Sequence, residues 1–338
     1  MSQAARPRHL VDLGDLELDE LREWIDLSLS IKHSGAAPAL PARTLGMLFF
    51  RGSLRTRTSF EAAVHQLGGH AINLNAASDF WELEARDGVV MDGRAPEHIR
   101  DAAAVLSSYV DAIAIRPALA GQSWELDRRD EGIQAWAAHA RVPVINMESA
   151  LWHPLQALAD TMTMRESLGE LAGRKLSIVW THAPEPASPA VVHSLLVAAA
   201  RFGMHISVAH PAGYELDGEV IRRAQTACDE TEGSIDFTAD REAAVRGSHI
   251  VYARSWGSLE HYGNATLAAS HRSRTTEWSV NEALMALGDN AKFMHAMPIR
   301  RNLEVTDEVV DGPRSLILQQ AENRLHSQKA VLTRLLGR

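Results

Sequence analysis

Cysteine is nearly missing from this chain of 338 residues, Cys228 being the only one. No intramolecular disulfide can form, and no cysteine cluster can hold a metal. Positive charge is also in deficit, with 34 Lys and Arg against 43 Asp and Glu and a net charge of −9. That balance argues against nucleic acid as a partner while leaving room for a local cationic pocket. No apolar run approaches the length of a membrane span, and the opening MSQAARPRHLVDLGDLELDEL lacks the apolar core of a signal peptide. A cytoplasmic protein with no membrane partner is the expectation. The glycine-rich nucleotide loops G-x-G-x-x-G and G-x-x-x-x-G-K-[ST] are absent, as is the G-x-S-x-G elbow of a serine nucleophile.

What is present is 46% apolar residues, enough to build two ordinary cores. Short apolar runs alternate with helical periodicity almost throughout. Strands are expected at residues 44–50, 70–75, 112–116 and 142–147, then at 175–180, 205–210, 249–254 and 292–297. Helices are expected at 59–69, 96–110, 133–140 and 154–168, then at 191–202, 220–228 and 321–337. This predicts an α/β chain of two doubly wound parallel-sheet domains, 1–153 and 154–320, with helix 321–338 packing back on the first. The stretches 75–93 and 255–279 show no clear periodicity, as lids and binding loops often do.

Ligands of doubly wound sheets collect beyond the carboxyl ends of the strands. The first run leads into FFRGSLRTRTS, which places Ser53, Arg55, Thr56 and Arg57 at a helix N-terminus. Free amides and the helix dipole make that an anion site. A plain serine cap with solvated arginines remains the alternative. AIAIR ends at Arg116, and ESALWHPLQALAD supplies Glu148, His153 and Gln156. HIVYAR ends at Arg254, HAMPIRRN carries Arg300 and Arg301, and AENRLH places Arg324 in the first turn of the last helix. A lone histidine is usually structural, and Arg301 and Arg324 have surface or ion-pair readings. Together these groups suit an anionic, phosphorylated small molecule with a polarisable carbonyl.

SLRTRTSFE, MDGRAPEHI, ESALWHPLQALAD, HAMPIRRN and AENRLH, in this order, resemble the aspartate/ornithine carbamoyltransferase family over nearly the whole chain. The likeness is closest to the N-acetylornithine and N-succinylornithine branch. It implies a carbamoyltransferase needing no metal or other cofactor, whose partners are carbamoyl phosphate and a small amine acceptor. Ser53, Leu54, Arg55 and Thr56 would hold the donor phosphate. Arg116, His153 and Gln156 would grip and polarise the carbamoyl group, with Arg300 and Arg324 completing the charge clamp. Trp81 matches a tryptophan that reaches a neighbouring subunit's site, which implies a homotrimer with shared sites.

Departures from the family gather on the acceptor side, where Glu148 also falls. HAMP replaces HCLP, so Ala296 and Met297 stand where cysteine and leucine are usual. Arg254 replaces a lysine. Glu185 stands where the branch tends to carry a cation. Pro96 matches the succinylornithine form of the MDG loop, where the acetylornithine form has glutamate. An N-acylated ornithine or related diamino acid is the leading acceptor. A tailoring enzyme acting on an amine of a basic metabolite, such as a diaminopropionyl peptide antibiotic, is the alternative. A non-catalytic paralogue that binds carbamoyl phosphate is the third reading.

Overall fold

The computed structural model describes residues 7–337. Among the described residues two large parallel sheets form, beside one two-stranded pair. In the first, β1 (Thr44–Phe49), β2 (His70–Asn75), β3 (Ala112–Arg116) and β4 (Val144–Asn146) run in the order β2-β1-β3-β4. In the second, β5 (Lys175–Trp180), β6 (His205–Ala209), β7 (Ser234–Thr238), β8 (Ile250–Arg254) and β9 (Lys292–Met294) run in the order β9-β8-β5-β6-β7. The inner strands are apolar throughout because helices cover both faces of such sheets, and β1, β3, β5 and β8 are buried along almost their whole length.

The chain separates into two compact units. One holds the chain through Ala120, Asp127–Leu155 and the chain from Arg324 onward; the other holds Gly121–Leu126 and Gln156–Asn323. The chain passes from one to the other at each end of Gly121–Leu126 and again within two helices, α2 (Pro154–Leu168) and α3 (Ile317–Leu336). Leu48, Ile113, Ile115, Trp136 and Val144 centre the first core; Val179, Val251, Phe293, Val280 and Val305 centre the second. No helix among the described residues is long and apolar enough to cross a membrane.

Several elements differ from the sequence expectation. The helix expected from 96 begins at Ile99, because Glu97–His98 pairs as a short strand with Leu83–Glu84 inside the supposedly irregular region. Residues 255–279 contain a helix, Ala265–Arg272, with no buried side chain to give it a pattern. The last helix starts at Ile317, so Arg324 lies two turns in and not in its first turn. Gly121–Leu126 belongs to the second unit although its flanks belong to the first. The indole of Trp124 donates to Asp217 Oδ2 at 2.7 Å and packs on His193 and Tyr262. Gly263, at φ +83°, brings its backbone so close to Gln122 that a Cβ would lie 2.0 Å from the carbonyl oxygen.

Candidate active site

Each sheet has one point where the strand order reverses, and ligands of doubly wound folds bind beyond the carboxyl ends there. In the first sheet it lies between β1 and β3, whose last residues Phe49 and Arg116 are partners. α1 (Leu54–Gln66) starts just after β1. Ser53 is its N-cap, accepting from the Thr56 amide at 3.3 Å. The cap reading therefore holds for Ser53, but it leaves Arg324 unexplained. That guanidinium, on a residue only 4% exposed, donates from α3 to Thr56 Oγ1 at 3.0 Å. Arg55 is half-buried in the same turn, Leu54 is exposed, and Arg57 stacks over Phe49 with its guanidinium 4.2 Å from the ring centroid.

Arg116 finds its anionic partner in Glu148, with which it forms a buried ion pair. Its Nη1 is 3.5 Å from the Met147 carbonyl, and its Nε is buried without a hydrogen-bond partner. Glu148 takes a φ of +141°, a conformation that costs a non-glycine residue about 1–3 kcal/mol and persists only when its surroundings enforce it. The enforcement is visible. Arg51 donates from Nη2 to the Glu148 carbonyl at 2.8 Å and from Nε to the Pro117 carbonyl at 3.0 Å. Asn146 Oδ1 accepts from the Glu148 amide at 3.0 Å. Beneath the loop, Asp130 accepts from the Ser149 hydroxyl and from the amides of Ala150 (2.9 Å) and Leu151 (3.4 Å). Burial pushes the Asp130 carboxyl up to about 6 despite those donors. His153 is buried in the next stretch, its Nε2 3.9 Å from Glu148 Oε2, too far for a hydrogen bond.

Sequence reasoning overlooked Arg51 and Asp130. Arg51 lies in the stretch FFRGSLRTRTS, before the helix N-cap Ser53. Asp130 became legible only once the 148–152 loop was seen folded over it.

In the second sheet the order reverses between β5 and β8, whose last residues Trp180 and Arg254 are partners. Arg254 is buried, and among the described residues no carboxylate forms an ion pair with it; its Nε has no hydrogen-bond partner. The hydroxyls of Thr181 and Ser255 and Nδ1 of His182 are likewise buried and unpartnered. Gln156, at the start of α2, donates to Asp160 Oδ1 at 2.7 Å. Glu185 sits on the loop after β5 with its side chain 90% exposed, 4.0 Å from the half-exposed Arg300. Arg301 is held by Asp307 and Asp311 at the surface. Ala296 and Met297 are half-buried in the loop after β9, where Met297 takes a φ of +21°. In the first unit, Pro96 is exposed, and Trp81 is 71% exposed.

Residues 8–166 match the carbamoyl-P binding domain of aspartate/ornithine carbamoyltransferases, and residues 173–335 match their Asp/Orn binding domain. An N-acetylornithine carbamoyltransferase of Xylella fastidiosa is 38% identical over 331 residues, covering 97% of this chain and 98% of that protein. An ornithine carbamoyltransferase of Hyperthermus butylicus is 39% identical over 336 residues, covering 98% of each. A crystal structure of acetylornithine transcarbamylase complexed with acetylcitrulline superposes with a TM-score of 0.94 at 37% identity, covering 98% of this chain and 99% of that one. A glutamate-to-proline variant of N-acetyl-L-ornithine transcarbamylase, complexed with carbamyl phosphate and N-succinyl-L-norvaline, gives 0.93 at 38% identity, covering 97% and 99%. The chain belongs to the aspartate/ornithine carbamoyltransferase family and is a carbamoyl phosphate-dependent carbamoyltransferase.

Proposed function

We propose that this enzyme carbamoylates the side-chain amine of an N-acylated ornithine, with N-succinylornithine ahead of N-acetylornithine. The observation that carries the acceptor reading is Arg254, a buried guanidinium with no carboxylate paired to it among the described residues. An unpaired buried charge is costly, and the α-carboxylate of an amino-acid acceptor would complete it. The unpartnered Thr181 and Ser255 hydroxyls beside it supply further donors for the same group. Pro96 favours the succinyl form through the missing glutamate, since variants of a related enzyme with that residue changed to proline, serine, alanine or valine are each complexed with N-succinyl-L-norvaline. Glu185, the main support for a basic acceptor, is solvated and faces Arg300, so its charge is screened.

On this reading the α1 N-terminus, with Ser53, Leu54, Arg55, Thr56 and Arg324, holds the donor phosphate. Arg116, His153 and Gln156 grip the carbamoyl group, and Arg300 adds positive charge for the leaving phosphate. The neutral amine attacks the carbamoyl carbon, a C–N bond forms, and the C–O bond to phosphate breaks. The amine loses a proton and inorganic phosphate departs. Positioned donors lower the barrier by stabilising charge that develops on the carbamoyl oxygen and the leaving group. The exposed Trp81 supports a homotrimer in which that side chain completes a neighbour's site.

Phosphate release measured with N-succinylornithine, N-acetylornithine, ornithine and a diaminopropionyl peptide tests the acceptor assignment. N-succinylornithine should give the highest kcat/KM. A preference for the basic peptide would overturn the assignment in favour of the tailoring reading.

A further inference from the structure

Asp160 lies one turn beyond Gln156 on α2, fully buried, and the chemistry above gives it no task. It is nevertheless the hub of a polar network. Its carboxylate accepts from Gln156 Nε2 at 2.7 Å, from Gln320 Nε2 at 2.6 Å and from the Tyr252 hydroxyl at 2.8 Å. Gln320 Nε2 is also 3.2 Å from the Tyr252 oxygen, while its Oε1 accepts from the His295 amide at 2.9 Å. The His295 ring meets Glu304, Nε2 to Oε2 at 2.9 Å, and the same Glu304 oxygen accepts from the Arg300 amide at 3.3 Å.

A terminal amide has a donor end and an acceptor end of nearly the same shape, and only the polarity of its partner decides which way it faces. A carboxylate offers lone pairs and no proton. Gln156 must therefore turn its NH₂ toward Asp160 and direct Oε1 away from it. The same constraint turns Gln320, whose oxygen is left to hold the loop that follows β9. Tyr252 reinforces the arrangement: burial and the neighbouring carboxylate push its phenol well above the ordinary value, so it remains a donor.

We propose that Asp160 is a positioning residue that fixes the polarity of Gln156, so that this amide offers the donor substrate a carbonyl oxygen. The inference rests on Gln156 gripping the carbamoyl group. A carbonyl oxygen at that point accepts from the carbamoyl NH₂; a reversed amide would set NH₂ against NH₂. The polarity thus selects carbamoyl phosphate over acetyl phosphate, which carries a methyl group in place of the NH₂.

The test is equilibrium binding of carbamoyl phosphate and acetyl phosphate to the full-length enzyme and to Asp160→Asn. The wild type should prefer carbamoyl phosphate. In Asp160→Asn, affinity for carbamoyl phosphate should fall about tenfold to a hundredfold, the loss expected for a misdirected buried hydrogen bond. Affinity for acetyl phosphate should change by less than about twofold, because its methyl group uses no hydrogen bond. A second variant, Asp160→Asn combined with Gln156→Glu, swaps the polarities while keeping a complementary pair in the core, and should retain the preference for carbamoyl phosphate. Equal weakening of both ligands in Asp160→Asn, an undiminished preference there, or loss of the preference in the swapped pair overturns the proposal. A wild type that does not distinguish the two ligands removes the reading of Gln156, and the proposal falls with it.

Discussion

The two units carry the same device, a reversal of strand order with an arginine at the carboxyl end of a strand, and they finish it in opposite ways. In the first, Arg116 is already paired with Glu148, and the loop behind that pair is pinned by Arg51 and Asp130. In the second, Arg254 has no carboxylate partner among the described residues, and the hydroxyls of Thr181 and Ser255 are unmet. On the proposed reading, the groups that act on carbamoyl phosphate are set in place by the protein's own contacts. On the same reading, the groups that recognise the acceptor are left for the ligand to complete.

The sharpest way to break this contrast is to truncate both arginines. Arg116→Met should leave Glu148 buried without its partner, costing about 3–5 kcal/mol of stability, and should lower kcat about 10²- to 10³-fold. Arg254→Met should cut kcat/KM for the acceptor by a similar factor. It should leave the KM for carbamoyl phosphate unchanged, and stability unchanged or raised, since it removes an uncompensated charge. Denaturant midpoints and initial rates on the two proteins suffice. A destabilised Arg254→Met would show that its charge is compensated inside the unit.

Asp130 gives a smaller effect of definite sign. Its carboxyl binds a proton more tightly folded (about 6) than unfolded (3.8). Over that window the native state holds more protons, so this group's contribution to stability falls as pH rises from about 4 to about 6 and is flat above. The change is roughly 2–3 kcal/mol. Asp130→Asn should remove that component from the pH dependence of unfolding. Parallel wild-type and variant curves would mean that Asp130 titrates normally.

These contrasts also explain what the sequence made legible. Apolar runs such as KLSIVW and AIAIR are buried inner strands, and their pattern allows little else. SIDFT escaped notice because β7 is an edge strand with no buried residue and no apolar run. Arg116, His153, Gln156 and Arg254 could be named because each ends a strand or opens a helix. Placement of Gly121–Leu126 could not be read, since it depends on a bond from Trp124 to Asp217, 93 residues away. The polarity of Glu185 was plain in the sequence, whereas its exposure was not.

Glu185→Lys should therefore have the smallest effect, changing the ratio of kcat/KM for anionic and cationic amines by no more than about fivefold, as for an exposed charge. A larger shift would restore Glu185 as an acceptor-facing group and weaken the contrast.

The most direct measurement is kcat/KM for N-succinylornithine against its α-carboxamide, in the wild type and in Arg254→Met. If the acceptor carboxylate completes Arg254, the wild type should prefer the acid by about 2–4 kcal/mol, roughly 30- to 1,000-fold, and the variant should hardly distinguish the two. Equal use of acid and amide by the wild type would contradict the assignment of an amino-acid carboxylate to Arg254.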